Sequence, residues 1–300
     1  MSRTSNTLVS VAVVTYQHIN FIGECLDSIL AQDYRPLEIV VADDGSTDGT
    51  QDIVKAYALR NPREFVLRLS STNRGVTSNC NAAHFACTGK YIAWMAGDDK
   101  MYPGKIRKQV DHMEEHPDCS ISYHNLDIID STSGRKIGRY NTIWNIHTGD
   151  VYCLIRYGSF NGACSNMVRR EKTPTAGFDN TLPVASDWYY WIEILFNGGT
   201  IDYIDEVLGM YRRHSQNVTN KTSAHYFQAI LDHISTCEKT VKRDRYLKAP
   251  ARIQLSNIYR AGRHFSYEKC LKRSILYNRL NLRSLIMLAV YRITGRKWMI

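Results

Sequence analysis

The 300-residue sequence contains no C-x-x-C pair; its eight cysteines (Cys25, Cys80, Cys87, Cys119, Cys153, Cys164, Cys237 and Cys270) are scattered. That spacing fits neither a zinc finger nor a small disulfide framework. Most of these cysteines stand in apolar runs, which points to reduced, buried thiols and a cytoplasmic protein. Long apolar runs are missing as well. The longest, Leu285–Tyr291, is far short of the ~20 residues that span a bilayer. No leader pattern precedes the strand-length run Val9–Val14. There is no Walker loop, no G-x-S-x-G and no H-E-x-x-H. With 44% hydrophobic and 22% charged residues, wholesale disorder is excluded.

Acidic residues are scarce in one part of the chain only. Residues 221–300 hold 4 acids against 17 Lys and Arg, whereas residues 1–220 hold 25 acids against 21. The net charge of +9 therefore belongs to the tail. The mildly acidic body argues against a nucleic-acid groove across the whole protein. Two units are expected: a body over 1–220 and a basic helical extension over 221–300.

What is present is strand–helix alternation. Leu8–Thr15, Leu37–Ala42, Phe65–Leu69, Tyr91–Met95 and Cys119–Tyr123 read as buried strands, separated by helical spacing such as Ile22, Cys25, Leu26 and Ile29. This predicts an α/β fold, Rossmann-like, with a mostly parallel sheet flanked by helices and ligands at the strands' carboxyl ends. Further on, the pattern predicts a hairpin over Leu126–Tyr140 and a short helix over Thr148–Tyr157. A strand follows over Ala163–Arg169, then a helix over Ser186–Phe196, then strands Thr200–Ile204 and Val207–Tyr211. From Ser223 onward the chain reads helical.

Four polar clusters fall where chemistry is expected. Asp43-Asp44-Gly45-Ser46 ends a strand beside a helix start; it serves either a ligand N–H or a capped turn. Gly97-Asp98-Asp99 places two carboxylates side by side, a costly arrangement unless water or a hard cation such as Mg²⁺ or Mn²⁺ screens them. Ser186-Asp187-Trp188-Tyr189-Tyr190-Trp191 offers an acid before aromatic residues. Sugar rings stack on such faces and Asp187 could take a hydroxyl proton, although the residues taken alone favour an N-cap with core aromatics. Tyr211-Arg212-Arg213-His214 suits phosphate or metal.

In this order the clusters resemble the family 2 glycosyltransferases of GT-A fold. The match runs over about residues 8–215, from Val9–Tyr16 and Glu38–Thr50 through Asn73-Arg74-Gly75 to Arg212-Arg213-His214. The resemblance implies an inverting, metal-dependent transferase of the bacterial surface-polysaccharide type. It would move one sugar per visit from a nucleoside-diphosphate sugar, UDP or dTDP favoured, to a glycan or lipid-linked acceptor. It implies Thr15, Asp43, Asp44, Arg74 and Asp98 around the nucleotide sugar, and Asp99 and His214 on Mg²⁺ or Mn²⁺. Asp187 is implied as catalytic base, with Gly162 and Trp188 toward the acceptor. Gly97 and Ser186 depart from the family pattern, each standing where an acid is common. A nucleotidyltransferase is the competing enzyme class, and a non-enzymatic basic binding module the other alternative.

The tail adds a location. Residues 248–300 carry 12 basic residues and 1 acid, interleaved with Leu271, Ile275, Leu276, Leu280, Leu282, Leu285, Ile286 and Leu288. That pattern fits a helix lying on an anionic bilayer at the inner face of the cell membrane. It also fits a solvated appendage packed on the body.

Overall fold

Alternating β-branched residues set the centre of the sheet. In β1 (Val9–Thr15) the side chains of Val9, Val11 and Val13 enter one core cluster and Ala12 the opposite one, so the strand is buried on both faces. The computed structural model describes residues 7–142, 145–215, 217, 225–261 and 267–295. α1 (Ile22–Leu30), β2 (Leu37–Asp43), α2 (Thr50–Arg60), β3 (Phe65–Leu69), α3 (Val76–His84) and β4 (Tyr91–Ala96) follow. β3, β2, β1 and β4 lie side by side and parallel, with Thr15 opposite Asp43 and Val14 opposite Ala96.

The second half of the sheet is mixed rather than parallel. β5 (Lys100–Met101) and α4 (Lys105–Glu115) lead into β6 (Cys119–Asp130), which turns into β7 (Lys136–Arg139). After α5 (Val151–Tyr157), β8 (Met167–Arg169) runs antiparallel between β4 and β6. The strand expected over Ala163–Arg169 begins with a 3-10 turn, Ala163–Ser165, so only three residues pair. After α6 (Asp187–Phe196), the two strands expected at the end of the body are one, β9 (Thr200–Arg213). Its register against β6 slips near Asn125, which absorbs the exposed Asp205-Glu206 pair without breaking the strand. β9 also pairs β5, so the residues after Arg213 lie beside the Asp98–Asp99 turn.

The extension supplies α7 (His225–Arg243), α8 (Lys248–Ala261), α9 (Tyr267–Tyr277) and α10 (Leu282–Thr294). Ile234, Cys237, Leu247, Ala251, Leu255 and Ile258 join the same core cluster as Trp188, Trp191 and Ile201. α7 and α8 are thus part of the packed body, whereas α9 and α10 share a smaller cluster around Leu271 and Met287. The boundary expected between residues 220 and 221, and the expected helical residues 223 and 224, fall outside the described residues.

Candidate active site

The carboxyl ends of β2, β1 and β4 meet three loops, and the residues of the Asp43–Thr50 segment fasten them together. Ser46 Oγ accepts from Gln17 N (2.8 Å), Thr50 Oγ1 from His18 N (2.9 Å) and Asp48 from Ile19 N (3.0 Å). Gln17 takes a left-handed backbone conformation, φ 56°, in the turn that presents His18. Gly45 is also left-handed, φ +76°, and a Cβ there would lie 2.5 Å from the Thr72 carbonyl carbon, so glycine lets the two loops touch.

Asp43 and Asp44 divide their work. The Asp43 carboxylate accepts from Ser46 N (2.9 Å), Ser46 Oγ (2.5 Å) and Gln51 Nε2 (2.6 Å). Three of its roughly four acceptor positions are thereby filled. Asp44 clasps the start of α3, accepting from Arg74 N (2.8 Å) and Gly75 N (2.9 Å). Burial pushes its carboxyl up, and those two N–H donors oppose the shift. Neither acid caps α2, whose first-turn donor Thr50 N goes to Asp48 (2.9 Å). A cleft of about 570 Å³ opens here, lined by Asp43, Asp44, Arg68, Ser70, Arg74 and Asn79, with Arg74 exposed. Thr15 forms part of the frame: its carbonyl accepts from Asp44 N and Asn79 Nδ2, and its hydroxyl meets His18 Nδ1 at 3.2 Å.

The two acids after β4 face opposite ways. Asp98 Oδ2 lies 2.8 Å from His214 Nε2, 3.3 Å from Asn217 Nδ2 and 3.9 Å from His18 Nε2. Burial opposes ionisation of Asp98, yet the His214 hydrogen bond and the charges of His18 and His214 outweigh it and hold its carboxyl below the usual range. Asp99 turns inward, where Oδ1 accepts from Arg212 N at 2.8 Å beside the Cys164 thiol. Burial first, and the Asp98 charge second, push its carboxyl well above the usual range. The acid expected to stand with His214 was Asp99. The geometry instead pairs His214 with Asp98, because the register of β9 binds Arg212 N to Asp99 and leaves Asp98 at the open end.

The donor set of one carboxylate and two imidazoles, all within 4.8 Å of one another, suits a divalent cation, and Mn²⁺ better than Mg²⁺. Burial lowers the pKa of His18, so its lone pair is free at neutral pH. Arg212 locks the assembly: Nε donates to the Asp98 carbonyl (2.8 Å), Nη2 to Glu24 (2.9 Å), and the guanidinium sits 4.8 Å from the Phe21 ring centroid. Gly97, the departure noted in the sequence, has a steric cause. A Cβ at this position would stand 2.6 Å from Thr15 Oγ1, 2.7 Å from Thr15 Cβ and 3.0 Å from His18 Nδ1, so no acid fits. Gly97→Ala is expected to cost about 1–3 kcal/mol of stability and to displace His18. An unchanged melting temperature in thermal denaturation would show that the contact yields freely.

Asp187 begins α6 and is half-buried. Burial raises its pKa, opposed by the His233 imidazole and by the Trp188 N–H it accepts at 2.8 Å. Ser186 replaces an acid with a hydroxyl that bonds Thr77 Oγ1 at 2.8 Å, tying α6 to α3. α7 braces the same loop: Asp232 accepts from Val184 N and Ala185 N, both at 2.8 Å. Two expected acceptor residues lie elsewhere than foreseen. Trp188 is 1% exposed, with its indole N–H on the Leu154 carbonyl (3.3 Å), so it is a core residue rather than a sugar platform. Gly162 is buried too, and a Cβ there would meet Leu126 Cδ1 at 2.7 Å.

Sequence reading missed His18, Asn217, Asp232 and His233. Only His18 carried a signal, as a metal-competent side chain just past a strand end; the others act through tertiary contacts with no local pattern.

An open sheet with its polar residues gathered at the carboxyl ends of β2, β1 and β4 is an α/β architecture of the GT-A kind. The chain belongs to glycosyl transferase family 2, whose family profile matches residues 10–173. An uncharacterized protein of Mycobacterium tuberculosis is 32% identical over 213 residues, covering 70% of this chain and 60% of its own length. The chain thus matches less than two thirds of that relative. An uncharacterized glycosyltransferase of Nostoc is 26% identical over 262 residues, covering 84% and 74%. Among solved structures, S. aureus TarS 1-349 in complex with UDP-GlcNAc has a TM-score of 0.69 at 15% identity, covering 98% of this chain and 93% of that one. The mannosyltransferase PcManGT from Pyrobaculum calidifontis, in complex with GDP-Man and Mn²⁺, has a TM-score of 0.62 at 19% identity, covering 96% and 80%. At these identities the likeness concerns the fold.

Proposed function

We propose that the chain transfers one sugar from a nucleoside-diphosphate sugar, UDP or dTDP favoured, to a hydroxyl of a glycan or lipid-linked acceptor, with inversion at the anomeric carbon. The carrying observation is the placement of the Asp43–Arg74 cleft and the Asp98–His214–His18 cluster on strand ends separated only by β1, about 10 Å apart. A ligand joining them must donate to a carboxylate at one end and be anionic at the other, as a nucleoside diphosphate does. The UDP-GlcNAc and GDP-Man held by the two structural neighbours support such a donor.

Asp43 offers its remaining acceptor position to a base N–H, and Arg74 on the rim faces the base or phosphates. Asp98, His214 and His18 would hold Mn²⁺ or Mg²⁺, which when bound supplies positive charge to the leaving diphosphate. Asp187 takes the proton of the acceptor hydroxyl as that oxygen attacks the anomeric carbon on the face opposite the diphosphate. One displacement breaks the sugar–phosphate bond, forms the glycosidic bond and leaves the proton on Asp187. A screen of nucleotide sugars for binding and slow hydrolysis with Mn²⁺ or Mg²⁺ tests this reading. Release of free nucleoside diphosphate is expected; release of pyrophosphate from a nucleoside triphosphate and sugar phosphate would move the chain to the nucleotidyltransferases.

We read the tail as a peripheral contact with an anionic membrane, on the cytoplasmic face. No helix among the described residues is long and apolar enough to cross a bilayer. α10 and the turn before it expose Leu280 (85%), Leu282 (68%) and Ile293 (84%) beside exposed Arg279 and Arg283. Truncation at Lys248 would remove core residues of α8, so substitution is the better test. Leu280→Ser with Leu282→Ser and Ile293→Ser should weaken co-sedimentation with phosphatidylglycerol vesicles at least several-fold. Equal sedimentation of both proteins would refute the contact.

A further inference from the structure

A second group of metal-competent side chains lies away from the strand ends just described, where the last turns of α4 meet the starts of β6 and β9. His112 Nε2 is 3.3 Å from Asp202 Oδ2, and the Cys119 thiol, which donates to the Ile121 carbonyl (3.3 Å), lies beside the same carboxylate. The three ligand atoms lie within 4.8 Å of one another. His112 and Asp202 side chains are each 23% exposed, while Cys119 is fully buried, so an ion can enter from solvent and end on a sulfur. The mutual arrangement is fixed from both sides. His116 stacks on His112 at 4.3 Å between ring centroids, with its Nδ1 2.8 Å from the His112 carbonyl. On the inner side Arg169 donates Nε to the Cys119 carbonyl (3.2 Å), Nη2 to the Met113 carbonyl (2.9 Å) and Nη1 to Tyr91 Oη (3.2 Å). Burial, followed by the Asp202 charge, pushes the Cys119 thiol up, with the Arg169 guanidinium opposing only in part, so the sulfur keeps its proton until a cation displaces it.

We infer that His112, Cys119 and Asp202 form a cation site for a borderline-soft divalent ion of the zinc type. One thiolate, one imidazole and one carboxylate make a three-residue set that leaves a fourth tetrahedral position for water. The sulfur ligand selects against Mg²⁺ and Ca²⁺, which take oxygen donors. Binding releases the Cys119 proton to solvent as the sulfur–metal bond forms. The ion would join α4, which follows the Asp98–Asp99 turn, to β6 and β9, and β9 carries Arg212–His214 at its far end. Its role is to staple these three elements.

The test uses the full chain, freed of metal by chelation and titrated with Co²⁺ under a non-chelating reductant. A sulfur-to-cobalt charge-transfer band in the near ultraviolet is expected; excess Mg²⁺ should leave it in place. The band should vanish in Cys119→Ser and weaken strongly in His112→Asn and Asp202→Asn, and it should persist in Asp98→Asn. In that Asp98→Asn protein, Zn²⁺ at a hundredfold excess over its dissociation constant should raise the melting temperature by roughly 5 °C. If Cys119→Ser does not fold, the two other variants decide alone. The site is overturned by the absence of a band, by a band that survives Cys119→Ser, or by one untouched in both His112→Asn and Asp202→Asn.

Discussion

Asp187→Asn is expected to abolish sugar transfer while leaving nucleotide binding intact. Asparagine keeps the size and the oxygen that accepts the Trp188 N–H (2.8 Å), so α6 keeps its start. The amide has no basic lone pair for a hydroxyl proton, and loss of a general base costs about 10²–10⁴ in turnover. The nucleotide residues proposed here stand on the Asp43–Thr50 and Thr72–Gly75 loops, outside this change. Calorimetric titration with UDP should therefore give the wild-type affinity, and steady-state release of nucleoside diphosphate should fall by at least a hundredfold. Near-normal turnover would remove Asp187 from the mechanism.

The same residue sets the acid limb of the pH profile. A protonated carboxyl cannot accept the hydroxyl proton, so activity is lost as pH falls through the folded-state pKa. Burial raises that pKa above the ordinary value of about 3.9, despite the opposing His233 and Trp188 N–H. The fall in wild-type turnover should thus begin at a higher pH than a solvated aspartate would give. A limb at or below that ordinary value would mean that another group limits the rate.

How much of this could be read from the chain follows from where the information resides. The five strands of the first 123 residues were legible because β-branched runs between helical spacings are local signals, and β3 spans the residues expected, Phe65–Leu69. β8 was not legible in its true extent: three residues are too few to show a period. The fusion of the last two strands into β9 depends on a register slip against β6, which only the partner strand reveals. At the site, Asp43, Asp98 and His214 were found as residue types at strand ends, and Asp187 as an acid opening an aromatic helix. The inward turn of Asp99 and the burial of Trp188 were not, since both are decided by tertiary packing. The basic tail separated likewise: charge marked residues 221–300 as distinct, but apolar side chains of α7 and α8 join the body's core, while α9 and α10 share a smaller cluster.

Asp98→Asn and Asp99→Asn should have opposite effects, and this contrast decides which acid serves the cation. Asp98 is the carboxylate beside His214 and His18. Removing its charge takes from the cation the only anionic ligand of the set among the described residues, and changes even to outer partners of a metal typically cost about 10–100-fold. Turnover with Mn²⁺ should fall by at least about a hundredfold, and chelation of the wild-type protein should do the same until Mn²⁺ is restored. Some stability at neutral pH should be lost as well, because His214 and His18 hold the Asp98 carboxyl below its ordinary range in the folded protein. Asp99→Asn keeps the oxygen that accepts Arg212 N and replaces a carboxyl that burial already drives toward its neutral form. It should retain most activity. Asp99→Ala removes that acceptor, leaves a buried N–H unpaired at about 1–3 kcal/mol, and should lower the melting temperature by roughly 3–10 °C while Mn²⁺ affinity in the folded protein persists. If Asp99→Asn instead lost Mn²⁺ binding and Asp98→Asn kept it, the inward hydrogen bond to Arg212 would have to open in solution and Asp99 would be the ligand after all.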